Sequence, residues 1–310
     1  MRNVLSLTVL LALTGCFDEV SPDYAGVLPD ERIQINLPTE FGDAERDREW
    51  SEFYLLTAKV TDDVNGLIGG VLHLVDVVTD LPPSWHDTED NTAVWGPFAD
   101  PLDPVHTVLW VHYDEDTDVY TWVIAQRPKT ETSDDAWVHI VGGQVDEGAT
   151  AEISSGWFAV DFDAAHDLDP NQTATGSFGC EYDIAADGVK ATAGFEDFAD
   201  GGEPVDAYYH YEQLFAGSGK MDLAIEDDIN GNLTEEVLVV RSRWVVTGAG
   251  RTDGYVTGGD LGALVATVSE CWDETFAPVF YEDNFSGNPA EGDEAFCVYD
   301  EPEYNENDEL

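Results

Sequence analysis

The chain has very few basic residues: 12 lysines and arginines stand against 65 aspartates and glutamates, which gives a formal net charge of −53. A negative charge of this size repels the phosphates of nucleic acids and the anionic surfaces of membranes. Nucleic acids are therefore excluded as partners. Because 43% of the residues are hydrophobic and 11% are aromatic, the composition is that of a folded protein with an acidic exterior rather than of a disordered tail.

Motifs of the common catalytic chemistries are also missing. The seven histidines are scattered and show neither the His-x-His nor the HExxH spacing that would indicate zinc. No G-x-S-x-G nucleophile elbow and no complete Walker phosphate loop occurs in the sequence. Carboxylate pairs suited to glycoside hydrolysis exist only because acids are so abundant, so they carry no information. We therefore predict that the protein is not an enzyme.

The clearest signal lies in the first sixteen residues, MRNVLSLTVLLALTGC. One arginine precedes an apolar run over residues 4–13, which is too short to span a bilayer and is typical of a secretory signal peptide. The tetrad LTGC, which ends at Cys16, resembles the lipobox of bacterial lipoproteins. In that family the cysteine thiol is lipidated, the signal (here 1–15) is cut just before it, and the new N-terminus is acylated. The resemblance therefore implies a membrane anchor at Cys16.

The residue after Cys16 bears on which membrane receives the anchor. It is Phe17, whereas an aspartate at this position retains lipoproteins at the inner membrane of some bacteria. The resemblance thus favours the outer membrane or cell surface of a bacterium. Residues 16–48 are acidic, are interrupted by three prolines and lack sustained periodicity, so we expect a lipidated cysteine followed by an acidic tether.

Cysteine is scarce, with three residues beyond the lipobox: Cys180, Cys271 and Cys297. In an exported protein two of the three would tend to be oxidised to a disulfide. We favour a bond between Cys271 and Cys297, which would fasten the C-terminal segment to the last strand. A bond from Cys180 to either of them is the alternative.

Apolar periodicity divides the rest of the chain into two parts. Over 49–80 apolar residues recur at steps of three and four, which predicts one amphipathic helix or, because of three internal glycines, a broken pair. After a proline-rich connection over 81–104, the period becomes two, and eleven candidate strands follow over 106–272. Their short turns are typical of an antiparallel meander, and so many strands would curl.

We therefore predict an α+β fold in which a long N-terminal helix packs against a large curved antiparallel sheet, as a half-barrel or a barrel. A single domain would cover 49–310, with the helix over 49–80, the sheet over 106–272 and a C-terminal extension over 273–310.

Two similar pentapeptides, DDVNG at 62–66 and DDING at 227–231, raise the question of a repeated cation site. The first lies inside the helical pattern. The second separates two alternating segments, and a two-residue turn at its Asn-Gly pair would place Glu226 opposite Glu235. Because directly opposed like charges destabilise a β-ladder, either the tip opens into a longer loop or a cation neutralises it.

A stronger candidate for a metal is the acidic stretch 161–172. Asp167, Asp169 and Asn171 have the D-x-D-x-N spacing of a calcium loop. Gln172 replaces the turn glycine, however, and no acid follows at the expected distance, so an Asp-rich connection with an Asp-Pro turn is the alternative. If the chain holds a metal ion, we expect Ca²⁺ at these three residues.

Two further groups of residues admit both a functional and a structural interpretation. Arg241, Arg243 and Arg251 either form a clamp for an anion or pair with neighbouring acids such as Asp222. The nine tryptophans either form a platform for stacking sugars or pack in the core. The abundance of acids and the strand alternation favour the structural interpretation in both cases.

The sequence as a whole predicts a lipid-anchored, highly acidic envelope protein that acts by surface binding or as a structural component. Its ligand, whether lipid, glycan or protein, is not identified by the sequence. The alternative is a carrier of a lipid or apolar ligand in a cavity between helix and sheet, because this architecture resembles that of periplasmic lipoprotein carriers. A hydrolase that acts on polysaccharide ranks behind both.

Overall fold

The computed structural model describes residues 24, 28–34, 36–37, 50–99, 101–146, 150, 153–229, 231, 234–300 and 302. The predicted signal peptide, the predicted lipidation site Cys16 and most of the predicted tether lie outside the described residues. The described part contains two α-helices, α1 (Glu52–Thr79) and α2 (Phe162–Leu168), several 3₁₀ turns and one large antiparallel sheet.

The sheet has fifteen strands. They are β1 (Trp85–Asp87), β2 (Thr92–Phe98), β3 (Val105–Asp114), β4 (Val119–Pro128), β5 (Val138–Val145), β6 (Ser154–Asp161), β7 (Ala174–Ile184), β8 (Gly188–Asp200), β9 (Val205–Leu214), β10 (Gly219–Asp227), β11 (Glu236–Trp244), β12 (Gly250–Gly258), β13 (Gly262–Trp272), β14 (Pro278–Asp283) and β15 (Glu291–Gly292).

Sequence order and sheet order are the same, so the sheet is a pure meander from β1 to β15. It is open, with β1 and β15 as its edges, and the barrel alternative is therefore wrong. Both edge strands are very short, which limits the pairing of the sheet with other chains. The eleven predicted strands correspond to β3 to β13. The connection predicted over 81–104 contains β1 and β2, and the predicted C-terminal extension contains β14 and β15.

Helix α1 is continuous over 28 residues and lies inside the range predicted as helix. It is not the first element of the fold, because a 3₁₀ turn at Glu31–Ile33 precedes it. Its N-terminus is capped by the Ser51 hydroxyl, which accepts a hydrogen bond from the Tyr54 amide at 2.9 Å. The carboxylate of Glu270, from β13, accepts a second from the Phe53 amide at 3.4 Å. These oxygens satisfy helix amides that otherwise have no partner.

The helix packs on one face of the sheet, here called the inner face. The buried side chains of both elements form one continuous cluster that fills the space between them. The largest members from the sheet are fully buried aromatic residues: Trp122, Phe158, Phe178, Tyr209, Tyr211, Trp244 and Trp272. The core therefore occupies the space in which the carrier alternative would hold its ligand.

Buried hydroxyls fix the position of α1 on the sheet. Thr57 and Ser242, on β11, approach to 2.6 Å, and Ser242 and Thr252, on β12, to 2.7 Å. All three side chains are buried, so an incorrect placement of the helix would leave polar groups without partners.

Part of the predicted tether belongs to the core. Tyr24, Leu28 and Ile33 are buried in the same cluster as the helix, and Ile33 has no exposed surface. The prediction of a tether over 16–48 is therefore wrong at these positions. The reason is that the three apolar side chains enter the core singly and so produce no periodicity in the sequence.

Tryptophans of the inner face lie over glycines of adjacent strands. Trp122 pairs with Gly143, and Trp244 lies between Gly219 and Gly250. A methyl group added at Gly143 or Gly219 would come within 2.6 Å of the neighbouring indole ring. Glycine is thus required because the indole ring lies against the backbone of the next strand.

The hairpin tip of β10 and β11 is wider than the two-residue turn predicted from DDING. The strands end at Asp227 and Glu236, and Glu226 faces Val237 rather than Glu235. Glu236 is buried, and its carboxylate accepts a hydrogen bond from the Ile229 amide at 3.1 Å. The longer loop, one of the two predicted outcomes, is therefore the observed one.

Candidate functional site

On the face of the sheet opposite α1, here called the outer face, strands β8 to β12 carry five of the 12 basic residues of the chain. They lie on β8, β10, β11 and β12: Lys190, Lys220, Arg241, Arg243 and Arg251. The strand register brings four of them into one row across the sheet. In that row Asp183, Lys190, Glu212, Lys220, Arg243 and Arg251 follow each other on consecutive strands from β7 to β12.

Two adjoining depressions of about 470 and 380 Å³ lie along this row and share Asp183 and Lys190. Together they form what we call the outer groove. Residues from β6 to β11 and Tyr299 line it. Its principal side chains are Trp157, Lys190, Thr192, His210, Glu212, Lys220 and Arg243.

Glu212 lies at the centre of the groove and contacts three cationic or titratable groups. Its carboxylate is 3.3 Å from the Lys190 ammonium, 3.7 Å from the Lys220 ammonium and 3.4 Å from His210 Nε2. Partial burial acts to raise the pKa of Glu212, but Lys220 and Lys190 outweigh it, and the pKa is lowered. Two lysines share one carboxylate here, and four further acids line the groove: Asp146, Glu181, Asp183 and Asp187.

The arginines behind the groove form ion pairs with buried or partly buried acids. Asp253, which is buried, accepts hydrogen bonds from Arg243 at 3.0 Å and from Arg251 at 2.9 Å. Arg241 lies opposite Asp222 in the register, and the two side chains approach to 4.0 Å. The structure therefore supports the ion-pairing interpretation of these arginines rather than the anion clamp.

Arg251 also holds the C-terminal segment against the outer face. It donates to the carboxylate of Glu294 and to the carbonyl oxygen of Tyr299, both at 3.1 Å. A disulfide joins Cys271 of β13 to Cys297, the pair favoured from the sequence, with their Cα atoms 5.5 Å apart. The segment so fastened places the Tyr299 ring 4.7 Å from the guanidinium of Arg243, where it forms one wall of the groove.

Trp157 marks the other end of the groove. It projects from β6 to the outer face and is 43% exposed, whereas its neighbour Phe158 is buried in the core. The next residues in its row, on β7, β8 and β9, are Glu181, Thr192 and His210. The His210 ring is hydrogen-bonded to the Thr192 hydroxyl at 2.9 Å, so this end of the groove is ordered by contacts between its own side chains.

The predicted calcium residues lie at the end of α2, a helix within the stretch predicted as a connection. Asp167 is in its last turn and Asp169 is its C-cap. The Asp169 carboxylate accepts hydrogen bonds from the amide and the side-chain nitrogen of Asn171, at 3.1 and 2.7 Å. Asn171 thus turns a nitrogen, not an oxygen, toward Asp169. Within the described residues, no group of three or more His, Cys, Asp or Glu side chains could hold a metal ion.

Two predicted residues remain, Cys16 and Cys180. Cys16 is outside the described residues. Cys180 is a free, buried thiol, and burial together with the nearby charge of Glu181 raises its pKa to about 12. It is therefore protonated at neutral pH and is a poor nucleophile. Among the described residues, no helix is both long and apolar enough to cross a membrane.

Comparison with protein-family models, with curated proteins and with solved structures finds no match for this chain.

One signal for the groove is present in the sequence, although the local pattern alone does not reveal it. Lys190 and Lys220 occur at outward positions of alternating strands, in a chain where lysine and arginine are rare. Their meeting point at Glu212 depends on the pairing of β8, β9 and β10, which the local pattern does not specify.

Proposed function

We propose that this protein is a lipid-anchored, non-enzymatic binding protein of the bacterial cell envelope, and that the outer groove is its ligand site. The observation that carries the proposal is the combination of a filled interior with a preformed groove on the outer face. Ligand sites are typically concave and largely formed before binding. Among the described residues, packed side chains occupy the space between α1 and the sheet, which is an argument against the carrier alternative.

The anchor at Cys16 supports a defined orientation on the membrane. Tyr24 is eight residues after Cys16, and a fully extended chain of that length spans at most about 28 Å. The Tyr24 ring packs against His86 of β1 and Tyr120 of β4. The β1–β4 part of the sheet therefore stays near the membrane. The groove, on β6 to β11, lies further along the meander from this attachment point.

The absence of catalytic motifs in the sequence supports binding rather than turnover. The groove contains one central carboxylate, Glu212, which is engaged by two lysines and has a lowered pKa. A general acid in glycoside hydrolysis instead needs a raised pKa.

Membrane fractionation of the full-length chain tests the anchor. We expect the wild-type protein to sediment with membranes, to incorporate a palmitate analogue and to be extracted only by detergent. Cys16→Ala should abolish incorporation of the label and prevent processing at the lipobox. Cys180→Ala, which keeps the lipobox, is the matched control. Labelling that persists in Cys16→Ala would refute the anchor.

The absence of turnover is tested separately on the purified mature chain. We expect polysaccharides and phospholipids to remain unchanged after prolonged incubation. A hydrolytic activity that co-purifies with the protein and is abolished by substitution of one carboxylate would overturn the assignment.

A further inference from the structure

Two neighbouring turns of the sheet expose large apolar side chains to solvent. The turn from β9 to β10 exposes Leu214 by 51% and Phe215 by 57%, and the turn from β11 to β12 exposes Val246 by 62%. The two turns are adjacent, because a methyl group added at Gly217 would lie 3.6 Å from a methyl group of Val246. We call them the apolar turns. Neighbouring exposed apolar side chains are typical of a contact with a partner or a membrane.

The apolar turns also lack charged residues, in a chain that is rich in acids. Residues 213–219 and 244–250 contain no aspartate, glutamate, lysine or arginine, although 65 of the 310 residues of the chain are acidic. The four charged residues that border these segments include only one acid; they are Glu212, Lys220, Arg243 and Arg251. The repulsion between an acidic protein and the anionic groups of a membrane is therefore locally reduced.

Tryptophans of the core hold the backbone of the apolar turns in place. The indole nitrogen of Trp244 donates to the Gly217 carbonyl oxygen at 3.1 Å, and that of Trp272 donates to the Gly248 carbonyl oxygen at 2.8 Å. The Phe215 amide donates to the carbonyl oxygen of Asp187, in the next turn, at 2.9 Å. The exposed apolar side chains are thus carried by turns whose backbone is fixed by hydrogen bonds.

The apolar turns lie at the end of the sheet where the chain from Cys16 enters the core. In an antiparallel meander every second turn lies at the same end of the strands, so the β1–β2, β3–β4, β9–β10 and β11–β12 turns share one end. Tyr24 packs on His86, just before the first of these turns, and on Tyr120, just after the second. Cys16 is at most about 28 Å from Tyr24 along the chain, so the proposed anchor brings this end of the sheet to the bilayer.

We propose that Leu214, Phe215 and Val246 insert into the interfacial region of the same phospholipid bilayer that holds the anchor. This inference rests on the proposed anchor and adds a second membrane contact to it. The β9–β10 turn is five strand spacings, about 24 Å, from β4, so two contacts this far apart would fix the orientation of the sheet on the membrane. The turns nearest Tyr24, at 87–91 and 114–118, carry several acids and stay in the water beside the headgroups. Leu214 also lines the outer groove, so the groove opens beside the bilayer surface.

Quenching of a fluorophore by labelled lipid tests the proposal. The lipidated chain is reconstituted in vesicles of phosphatidylcholine, which has no net charge, with or without phosphatidylcholine that carries a doxyl quencher on its acyl chain. A nitrobenzoxadiazole label is attached at Phe215→Cys or at Val246→Cys. We expect a blue-shifted emission on vesicles and about twofold or stronger quenching by the doxyl lipid, because the label enters the interface. The wild-type chain, whose free Cys180 is buried, is the blank for labelling.

Leu264→Cys and Phe285→Cys are the matched controls. They replace apolar side chains that are 72% and 62% exposed, near the start of β13 and just after β14. Both positions belong to the opposite end of the strands, so their labels should keep the emission of a label in water and should not be quenched. Circular dichroism of every variant identifies any change caused by misfolding.

Three outcomes would overturn the inference. The first is the absence of quenching at Phe215→Cys and Val246→Cys in a chain shown to be lipidated, which would leave the anchor standing. The second is equal quenching at these positions and at the controls, which would indicate unspecific adsorption. The third is a blue shift that is already present without vesicles, which would indicate that the apolar turns contact a second copy of the chain.

Failure of the anchor is a separate result, read from palmitate labelling that persists in Cys16→Ala. The labels are then measured on the unlipidated mature chain added to the same vesicles. Quenching at the apolar turns but not at the controls would establish the lipid contact without the anchor, and its absence would overturn the inference as well.

Discussion

Glycines of the sheet have sharply different tolerance to change, because some on the inner face are covered by indole rings and others on the outer face are exposed to solvent. A methyl group at Gly219 would lie 2.6 Å from the ring of Trp244, whereas one at Gly194 would meet no atom within 4 Å. Overpacking of a rigid core typically costs about 1–3 kcal/mol. We therefore expect Gly219→Ala to lower the free energy of unfolding by that amount in urea titration. Gly194→Ala is the control, and equal effects of the two would contradict the argument.

Glu270 should give the stability of the protein a recognisable dependence on pH. Burial raises its pKa, the charge of Glu52 adds to the effect, and hydrogen bonds from Ser51 and from helix amides offset only part of it. A raised pKa means that the folded state binds this proton more tightly than the unfolded state. The contribution of Glu270 to the free energy of unfolding is therefore present at low pH. It declines as pH rises through the range just above the ordinary pKa of 4.5.

The variant Glu270→Gln isolates this contribution from that of the other acids. We expect the stability difference, wild type minus variant, to fall as pH rises through that range in parallel urea titrations. Glu282→Gln, at an exposed position of β14, should show no such change. A difference that stays constant with pH, or rises, would disprove the assigned role of burial.

At the scale of elements, regular periodicity accounts for what could be predicted. Steps of three and four placed α1, and alternation placed β3 to β13, because one face of each element is buried. β1 and β2 were missed since the 81–104 segment contains five prolines and its short strands show little alternation. Helix α2 was hidden in an acidic stretch where Asp161 caps it through the Ala164 amide.

The outer groove could not be predicted for a different reason. It forms where residues far apart in sequence meet, and Lys190 and Arg243 reach one row only through the registers of β8 to β11. A shift of two residues in one hairpin leaves the faces unchanged but moves every residue to a different row. The β10–β11 hairpin has such a shift relative to the predicted tip, since Glu226 faces Val237 rather than Glu235.

The C-terminal segment depends on the disulfide between Cys271 and Cys297 for its place on the outer face. The bond closes a loop of 26 residues, for which the loss of loop-closure entropy corresponds to about 3.5 kcal/mol. Replacement of both cysteines by serine should lower the free energy of unfolding by roughly this amount. It should also increase hydrogen exchange over 284–300 more than in the strands under α1.

A reducing agent supplies the control for the disulfide variant. Dithiothreitol should reproduce the loss in the wild type and have no effect on the double serine variant, in which Cys180 stays a buried thiol. Unchanged stability of the variant would show instead that the Arg251 contacts hold the segment without the bond.

At the scale of the whole molecule, the large negative charge leaves acidic side chains that repel one another, because the few basic residues cannot pair with all of them. The chain carries a formal net charge of −53, and the acids on the surface of the open sheet repel one another. Ion pairs within the outer face neutralise only a small part of it. The folded state should therefore be most stable where salt shortens the range of this repulsion.

We expect the thermal midpoint to rise steadily as NaCl increases from about 0.1 to 1 M, because the Debye length falls from about 10 Å to about 3 Å.

The same titration with CaCl₂ at matched ionic strength separates screening from a specific site. Since Asn171 turns its nitrogen toward Asp169, we expect Ca²⁺ to add no saturable step beyond the effect of NaCl. A saturable step that is lost in Asp169→Asn, and kept in the control Asp260→Asn, would instead establish calcium at Asp167, Asp169 and Asn171. A midpoint that does not change with NaCl would contradict the role assigned to repulsion.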